Sequence, residues 1–244
     1  MQAEALFQKL LARVRKAVED YDMIQEGDRI AVGVSGGKDS LTLLYCLKAL
    51  QRFYPKKFEL FAITISLGNE GFDLPALIDI YENIGIQYHI EDTQIAKIVF
   101  DVRNEKNPCS LCSNMKRGAI HNAAKKLGCN KVAFAHHKDD VIETLLLSLF
   151  YEGRIHTFSP VTYLDRTGIT LIRPFIYTEE KMIRSYVNKK GIMPIPSGCR
   201  AEGKTKRHYV KELIAGLMKE NRHIKDNLFG AIQRGNINGW HPPL

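Results

Sequence analysis

Phe7, Leu11, Val14 and Val18 fall at helical spacing over residues 1–20, with Lys9, Arg13, Arg15 and Lys16 on the other faces. That pattern predicts one amphipathic helix. The apolar run Arg29-Ile30-Ala31-Val32-Gly33-Val34 is too short for a core helix and predicts a buried strand, and Phe58 to Ile65 predicts a second. Between them, Leu41, Leu44, Leu47 and Leu50 mark one side of a helix. Further helices are predicted over 74–84, 116–127, 140–151 and 179–190, alternating with strands at 86–90, 131–135 and 168–174. Strand and helix in alternation predict an α/β fold: a doubly wound, mostly parallel sheet with helices on both faces. No internal repeat or low-complexity stretch interrupts the pattern.

Past Gly191 the character changes. Two prolines lie within Gly191 to Pro196, the stretch from Arg200 to Lys211 is strongly basic, and Val210–Met218 and Asn227–Ile232 read as short helices. The expected organisation is an N-terminal helix (1–22), a nucleotide-binding α/β domain (23–190) and a small helical C-terminal region (191–244).

Composition narrows the class. At 244 residues, 45% hydrophobic and 25% charged, the chain has matter for a real core, which argues against disorder. Apolar runs break well before the ~20 residues of a membrane span, and no basic region followed by an apolar core opens the chain, so a cytoplasmic protein is expected. Five cysteines, unevenly placed, suit a reducing compartment in which thiols bind metal or do chemistry. The net charge of +8 suits a polyanionic partner.

Gly33-Val34-Ser35-Gly36-Gly37-Lys38-Asp39-Ser40 sits where a strand ends and a helix begins. Free backbone N–H groups and the positive helix end favour phosphate there, Lys38 adds charge, and Ser40 can donate a hydroxyl. It is not a Walker A loop, because Asp39 stands where Ser or Thr would follow the lysine. A carboxylate beside phosphates implies a divalent cation between them. The loop resembles that of the N-type ATP pyrophosphatases, a likeness that implies cleavage between the α- and β-phosphates and transfer of AMP to a substrate oxygen. Val34, Ser35, Gly36, Gly37, Lys38, Asp39 and Ser40, with Ile65 and Ala135 at other strand ends, form the expected ATP-binding set, and Asp39 the expected magnesium ligand.

Cys109-Ser110-Leu111-Cys112 reads as a turn just before a helix, and Cys199 is a further thiol far downstream. Three thiolates without a fourth suit an iron–sulfur cluster with one iron left open. Zinc completed by a histidine and a Cys109–Cys112 redox disulfide are the rival readings. Cys46 and Cys129 read as small buried apolar residues.

The segment Asn107 to Gly118, taken with the loop, with Ala135-His136-His137-Lys138-Asp139-Asp140-Val141-Ile142-Glu143-Thr144 and with Ile172-Arg173-Pro174-Phe175, resembles the tRNA 2-thiocytidine synthetase family from about Met23 to Lys211. The resemblance implies a [4Fe–4S] cluster on Cys109, Cys112 and Cys199, ATP and Mg2+ as cofactors, tRNA as substrate, and sulfide or a cysteine desulfurase as sulfur donor. The sequence departs from that pattern at Ser66, where Asp is commoner, at Ser197, and over Arg200-Ala201-Glu202.

His136, His137, Asp139 and Asp140 join a strand end to a helix start, where ligand crevices of doubly wound sheets lie, and are expected to face the nucleotide. Asp39, Lys116 and Asp140 are the catalytic candidates, the plainer reading of Lys116 being a helix-surface lysine. Arg200, Lys204, Lys206, Arg207 and Lys211 suit an RNA backbone, or else a solvated charged face. The function expected is ATP-dependent tRNA sulfur transfer to a cytidine. Its alternatives are the same chemistry on a uridine, a lysidine-type ligase, or a non-enzymatic nucleotide-binding iron–sulfur module. A homodimer is possible through the first helix, which otherwise packs on its own domain.

Overall fold

Strand Asp28–Gly33 (β1) carries Ile30, Ala31 and Val32 wholly out of solvent, as expected of a strand covered on both faces. It pairs in parallel with Phe58–Ser66 (β2) on one side and Lys131–Ala133 (β4) on the other. Gln87–Asp92 (β3) extends the sheet past β2. Ile169–Ile172 (β6) lies parallel beyond β4, and Val161–Leu164 (β5) closes that edge antiparallel. The order is β3-β2-β1-β4-β6-β5. The chain therefore leaves β1 in one direction and returns on its other side. The crevice at the carboxyl ends of β1 and β4 is the switch point where such sheets bind ligands. In this computed structural model, residues 2–68, 71–103, 108–196, 206–235, 237, 239 and 240 are described.

Helices Gln2–Asp20 (α1), Lys38–Leu50 (α2), Leu74–Ile84 (α3), Pro108–Lys126 (α4), Lys138–Glu152 (α5), Glu180–Lys190 (α6), Lys206–Glu220 (α7) and Ile224–Arg234 (α8) surround the sheet. The apolar stripe of α1 buries Leu10, Val14, Ala17 and Val18 against α2 and α6, so this face is used within the chain. Helices α7 and α8 pack on α5 and on each other. Trp240 is wholly buried beyond α8. Its ring meets Tyr21 and Phe229 edge-on, and its Nε1 donates to the carbonyl of Phe158 at 3.1 Å.

Three elements differ from the sequence pattern. Strand β5 was not expected: it is a four-residue edge strand with no fully buried position, so its apolar signal is faint. Gly168, expected as strand, is the left-handed end of the β5–β6 turn at φ +68°. Helix α4 begins at Pro108 rather than Lys116, which puts Cys109 and Cys112 on its first turn instead of a preceding turn. Proline at the first helical position lacks only an N–H that would be unpaired anyway, so Pro108 can open the helix. A π-helical turn, Lys97–Val102, precedes it.

Candidate active site

The chain leaves β1 through a loop that folds on itself. The Ser35 N–H donates to Ser40 Oγ at 3.1 Å, and that hydroxyl donates to the Gly37 carbonyl at 3.0 Å. Gly36 adopts φ +78°, and a Cβ there would stand 3.0 Å from the Ile195 side chain. The segment after α6 is docked on the loop, with the Ile195 N–H donating to the Gly36 carbonyl at 2.9 Å. Only glycine meets both demands.

Beside this loop opens a cavity of about 570 Å3. Of the expected ATP-binding residues, Val34, Ser35, Asp39, Ser40, Ile65 and Ala135 line it, and so do Lys116 and Asp140 from the catalytic set. Gly36, Gly37 and Lys38 stand outside this lining. Lys38 turns aside: its Nζ lies 2.9 Å from Asp39 Oδ2 and 3.0 Å from Glu180 Oε1. Burial opposes its charge, but the two carboxylates outweigh burial and raise its pKa. The other carboxylate oxygen of Asp39, Oδ1, is shielded from solvent and accepts no hydrogen bond from the described residues.

Across the crevice, Phe134, Ala135 and His136 lead from β4 into α5. His137 caps that helix: its Nδ1 accepts from the Asp140 N–H at 3.3 Å, and Asp140 Oδ2 accepts from the His137 N–H at 3.0 Å. Asp140 Oδ1 takes Arg207 Nη1 at 3.3 Å. Of the two His–Asp pairs, only His136 and Asp140 line the cavity. His137 is consumed as the cap. Asp139 points away, where it accepts the Glu180 N–H at 2.7 Å and pairs with Lys225. Burial works against the Asp139 carboxylate, yet Lys225 and that N–H hold its pKa below the usual range. Burial, reinforced by Arg173, pushes the His136 imidazole down to about 4, so it is neutral at pH 7.

Helix α4 supplies the third wall through Ser113, Lys116 and Arg117. Lys116 has no carboxylate partner among the described residues. Cys109 is exposed and Cys112 buried on the helix's first turn, outside the cavity, with Cys112 packed near Ile95 and Val99. Cys199, Arg200 and Lys204 lie outside the described residues. Lys206 sits 4.2 Å from the centre of the Tyr151 ring. Arg207 and Lys211 are engaged with acids: Arg207 Nη1 lies 2.9 Å from Glu143 Oε2, and Lys211 Nζ 3.3 Å from Glu180 Oε2. Cys46 and Cys129 are buried, and burial raises both thiol pKa values, that of Cys129 to about 11.

Glu143 and Glu180 escaped the sequence reading. Glu143 does lie within the His136-to-Thr144 segment, and burial raises its pKa despite Lys211 and Arg207. Glu180 carries no local mark beyond its place at a helix start.

A family profile described as a PP-loop domain matches residues 6–215. The tRNA-cytidine(32) 2-sulfurtransferase of Syntrophotalea carbinolica is 37% identical over 241 residues, 98% of this chain and 92% of its own length. That of Pelobacter propionicus is 40% identical over 239 residues, 97% and 88% of the two chains. The chain belongs to this PP-loop family. Among solved structures, the U34-tRNA thiolase NcsA from Methanococcus maripaludis with its [4Fe–4S] cluster superposes with a TM-score of 0.78 at 23% identity, over 95% of this chain and 79% of that one. The NH3-dependent NAD synthetase of Campylobacter jejuni reaches 0.51 at 14% identity, over 96% and 92%. Both likenesses establish the fold of the family, an adenine nucleotide α hydrolase-like sheet. Among the described residues, no helix is long and apolar enough to cross a membrane.

Proposed function

We propose that this protein is an ATP-dependent tRNA sulfurtransferase that adenylates the C2 oxygen of an anticodon-loop cytidine, cytidine 32 by likeness to its relatives, and replaces that oxygen with sulfur. The observation that carries the reading is the placement of Lys116 and the Cys109/Cys112 pair on one helix, Lys116 about two turns from Cys109 and about one from Cys112, with Lys116 facing the cavity beside the phosphate loop.

The C2 oxygen forms a bond to the α-phosphorus as the bond to pyrophosphate breaks. AMP is then the leaving group when a C2–S bond forms. Loop N–H groups and the start of α2 bind the phosphates, and Lys38 adds its charge once drawn from Glu180. The orphaned Asp39 Oδ1 fits a hard divalent cation such as Mg2+, which would offset phosphate charge. Lys116 stabilises charge developing on the adenylated base, and Asp140, held by its cap and by Arg207, positions the base. Cys109 and Cys112, one turn apart with Cys109 at the surface, fit two ligands of a [4Fe–4S] cluster, with Cys199 as the third. Bound there, the cluster would supply soft metal chemistry suited to carrying the transferred sulfur.

The partners are tRNA and a sulfur source, sulfide or a cysteine desulfurase, in the cytoplasm. Lys206 beside Tyr151 meets RNA directly. Arg207 and Lys211 reach it only on leaving their carboxylates, and Arg200 and Lys204 complete the basic run. Mass spectrometry of tRNA nucleosides from cells with and without the protein tests the assignment. Loss of 2-thiocytidine is expected, loss of a thiouridine instead would move the activity to uridine, and an unchanged profile would overturn it.

A further inference from the structure

Arg173 follows β6 at the carboxyl end of the sheet and is only 7% exposed. Its Nη1 donates to the Ser159 carbonyl at 2.6 Å and to Thr162 Oγ1 at 3.1 Å, and its guanidinium lies 5.0 Å from the centre of the Phe158 ring. Its Nε is shielded from solvent and donates to nothing among the described residues. Among the described residues no carboxylate lies within ion-pair distance of it. The other two buried Lys or Arg side chains among the described residues are paired: Lys131 with Asp28 at 2.6 Å, and Lys138 with Asp226 at 2.5 Å.

The surroundings of Arg173 do not supply the missing charge. It shares the cavity with Lys116 and Arg117. Of the two carboxylates lining the cavity, Asp140 is already taken by the His137 N–H and Arg207, and Asp39 is paired with Lys38 on the loop. Burial and the nearby Arg117 lower even the guanidinium, to about 10. A desolvated charge without a counter-charge is costly, and the cavity leaves room for a ligand to provide one. A planar fork that remains charged matches phosphate oxygens better than any other side chain.

We infer that Arg173 is the anchor of a second anion subsite, facing the loop across the cavity, that binds a phosphate group distinct from the α-phosphate. Strand β6 lies two strands from β1, roughly 10 Å at ordinary sheet spacing. That separation fits a backbone phosphate of the RNA substrate better than the nucleotide end held by the loop. Departing pyrophosphate is the other source of the same chemistry. The inference rests on the sulfurtransferase reading for its choice of RNA.

The test uses the full-length holoprotein and an anticodon stem–loop RNA in which single phosphates are replaced, one linkage at a time, by methylphosphonate. Wild-type protein is expected to bind about tenfold more weakly when one particular linkage is neutralised, as for a lost charge-assisted bond. Arg173→Gln binds the unmodified RNA about tenfold more weakly and loses sensitivity at that linkage, the coupling expected of a direct pair. Arg173→Lys, which keeps the charge without the fork, recovers part of the affinity and serves equally if the glutamine variant fails to fold. Retained ATP binding and an unshifted unfolding midpoint check the fold of each variant. If instead the RNA profile is flat and inorganic pyrophosphate binds tenfold more weakly to the variants, the subsite is for pyrophosphate. Unchanged binding of both ligands would overturn the subsite. A phosphate-dependent RNA profile in a protein that thiolates no nucleoside would leave the subsite standing and remove the reaction assigned above.

Discussion

The Nζ of Lys38 lies 3.0 Å from Oε1 of Glu180, the first residue of α6, so the phosphate loop's own lysine is held by an acid from a distant part of the chain. Glu180 is also reached by Lys211, Lys211 by Glu143 at 3.7 Å, and Glu143 by Arg207, which ends on Asp140. Charges of alternating sign thus run from the loop, over α6 and α7, to the far wall of the cavity. On the function proposed above, phosphates entering the loop would compete with Glu180 for Lys38, and RNA phosphates near α7 would compete with Glu143 for Arg207.

Glu180→Gln removes that competitor. Nucleotide affinity is expected to rise several-fold in a direct ATP-binding measurement, while stability at pH 7 falls by about 1 kcal/mol, a figure discounted for a partly solvated pair. Burial alone would raise the Glu180 pKa, but Lys38 and Arg184 hold it far below the carboxylate range. A depressed carboxylate stabilises the fold above its unfolded pKa, and that contribution fades as pH falls toward the folded value. The acid limb of the stability curve should therefore be shallower in the variant. Weaker ATP binding would refute the competition.

His136 gives a pH dependence in a higher window. Its folded pKa near 4 lies below the ordinary imidazole value of 6.5, so between these limits the unfolded chain binds the extra proton. Stability of the ligand-free protein is expected to rise with pH from 4 to 6.5 and then level, with on the order of 3 kcal/mol from this residue. Equilibrium unfolding across that range, repeated with His136→Asn, should show the slope reduced in the variant.

Trp240→Ala is expected to cost about 3 to 5 kcal/mol in denaturant unfolding, through the cavity it leaves between Tyr21 and Phe229 and the bond lost at the Phe158 carbonyl. Trp240→Phe keeps most of the volume and should cost less. A near-neutral Trp240→Ala would mean that the C-terminal end is not fastened to the core.

Legibility in the sequence followed locality. The strand, loop and helix from Arg29 to Leu50 could be read because an apolar run, a glycine turn and a leucine stripe are each local signals. The cavity's near walls followed from topology, since Ile65 lies at the end of β2 and Ala135 just past the end of β4, beside the switch point. What escaped were relations across space. A basic run at Arg207 and Lys211 looks solvent-facing until Glu143 is seen opposite it. Four charged or imidazole side chains around Asp140 look equivalent until capping takes His137 and the start of α6 takes Asp139. Strand β5 and the early start of α4 were missed for a different reason, because an edge strand buries little and an Asn-Pro pair signals turn and helix start alike.

Lys116→Ala separates binding from chemistry. Its ammonium lines the cavity without a carboxylate partner among the described residues, so nothing in the fold depends on an ion pair there. ATP binding and stability should change little, while the rate of pyrophosphate release with tRNA falls by about a hundredfold or more, the scale on which a single charge-stabilising donor acts. A loss confined to KM would instead make Lys116 a substrate-binding residue.

Cys109→Ser distinguishes the cluster from its rivals. Cys109 is at the protein surface on the first turn of α4 and lies outside the core clusters, so its replacement should leave the unfolding midpoint of the cluster-free protein unchanged. Anaerobically reconstituted variant is expected to lose the brown iron–sulfur absorption and all thiolated nucleoside, yet still release pyrophosphate when ATP and tRNA are mixed, because the loop and Lys116 are intact. Cys46→Ala and Cys129→Ala should do the reverse, lowering stability through lost packing while iron content and product remain. Retained sulfur transfer by a colourless Cys109→Ser protein would exclude the cluster as the sulfur carrier. Loss of pyrophosphate release along with the colour would tie adenylation to the cysteine pair as well, and the division of labour between the start of α4 and Lys116 at its middle would fall.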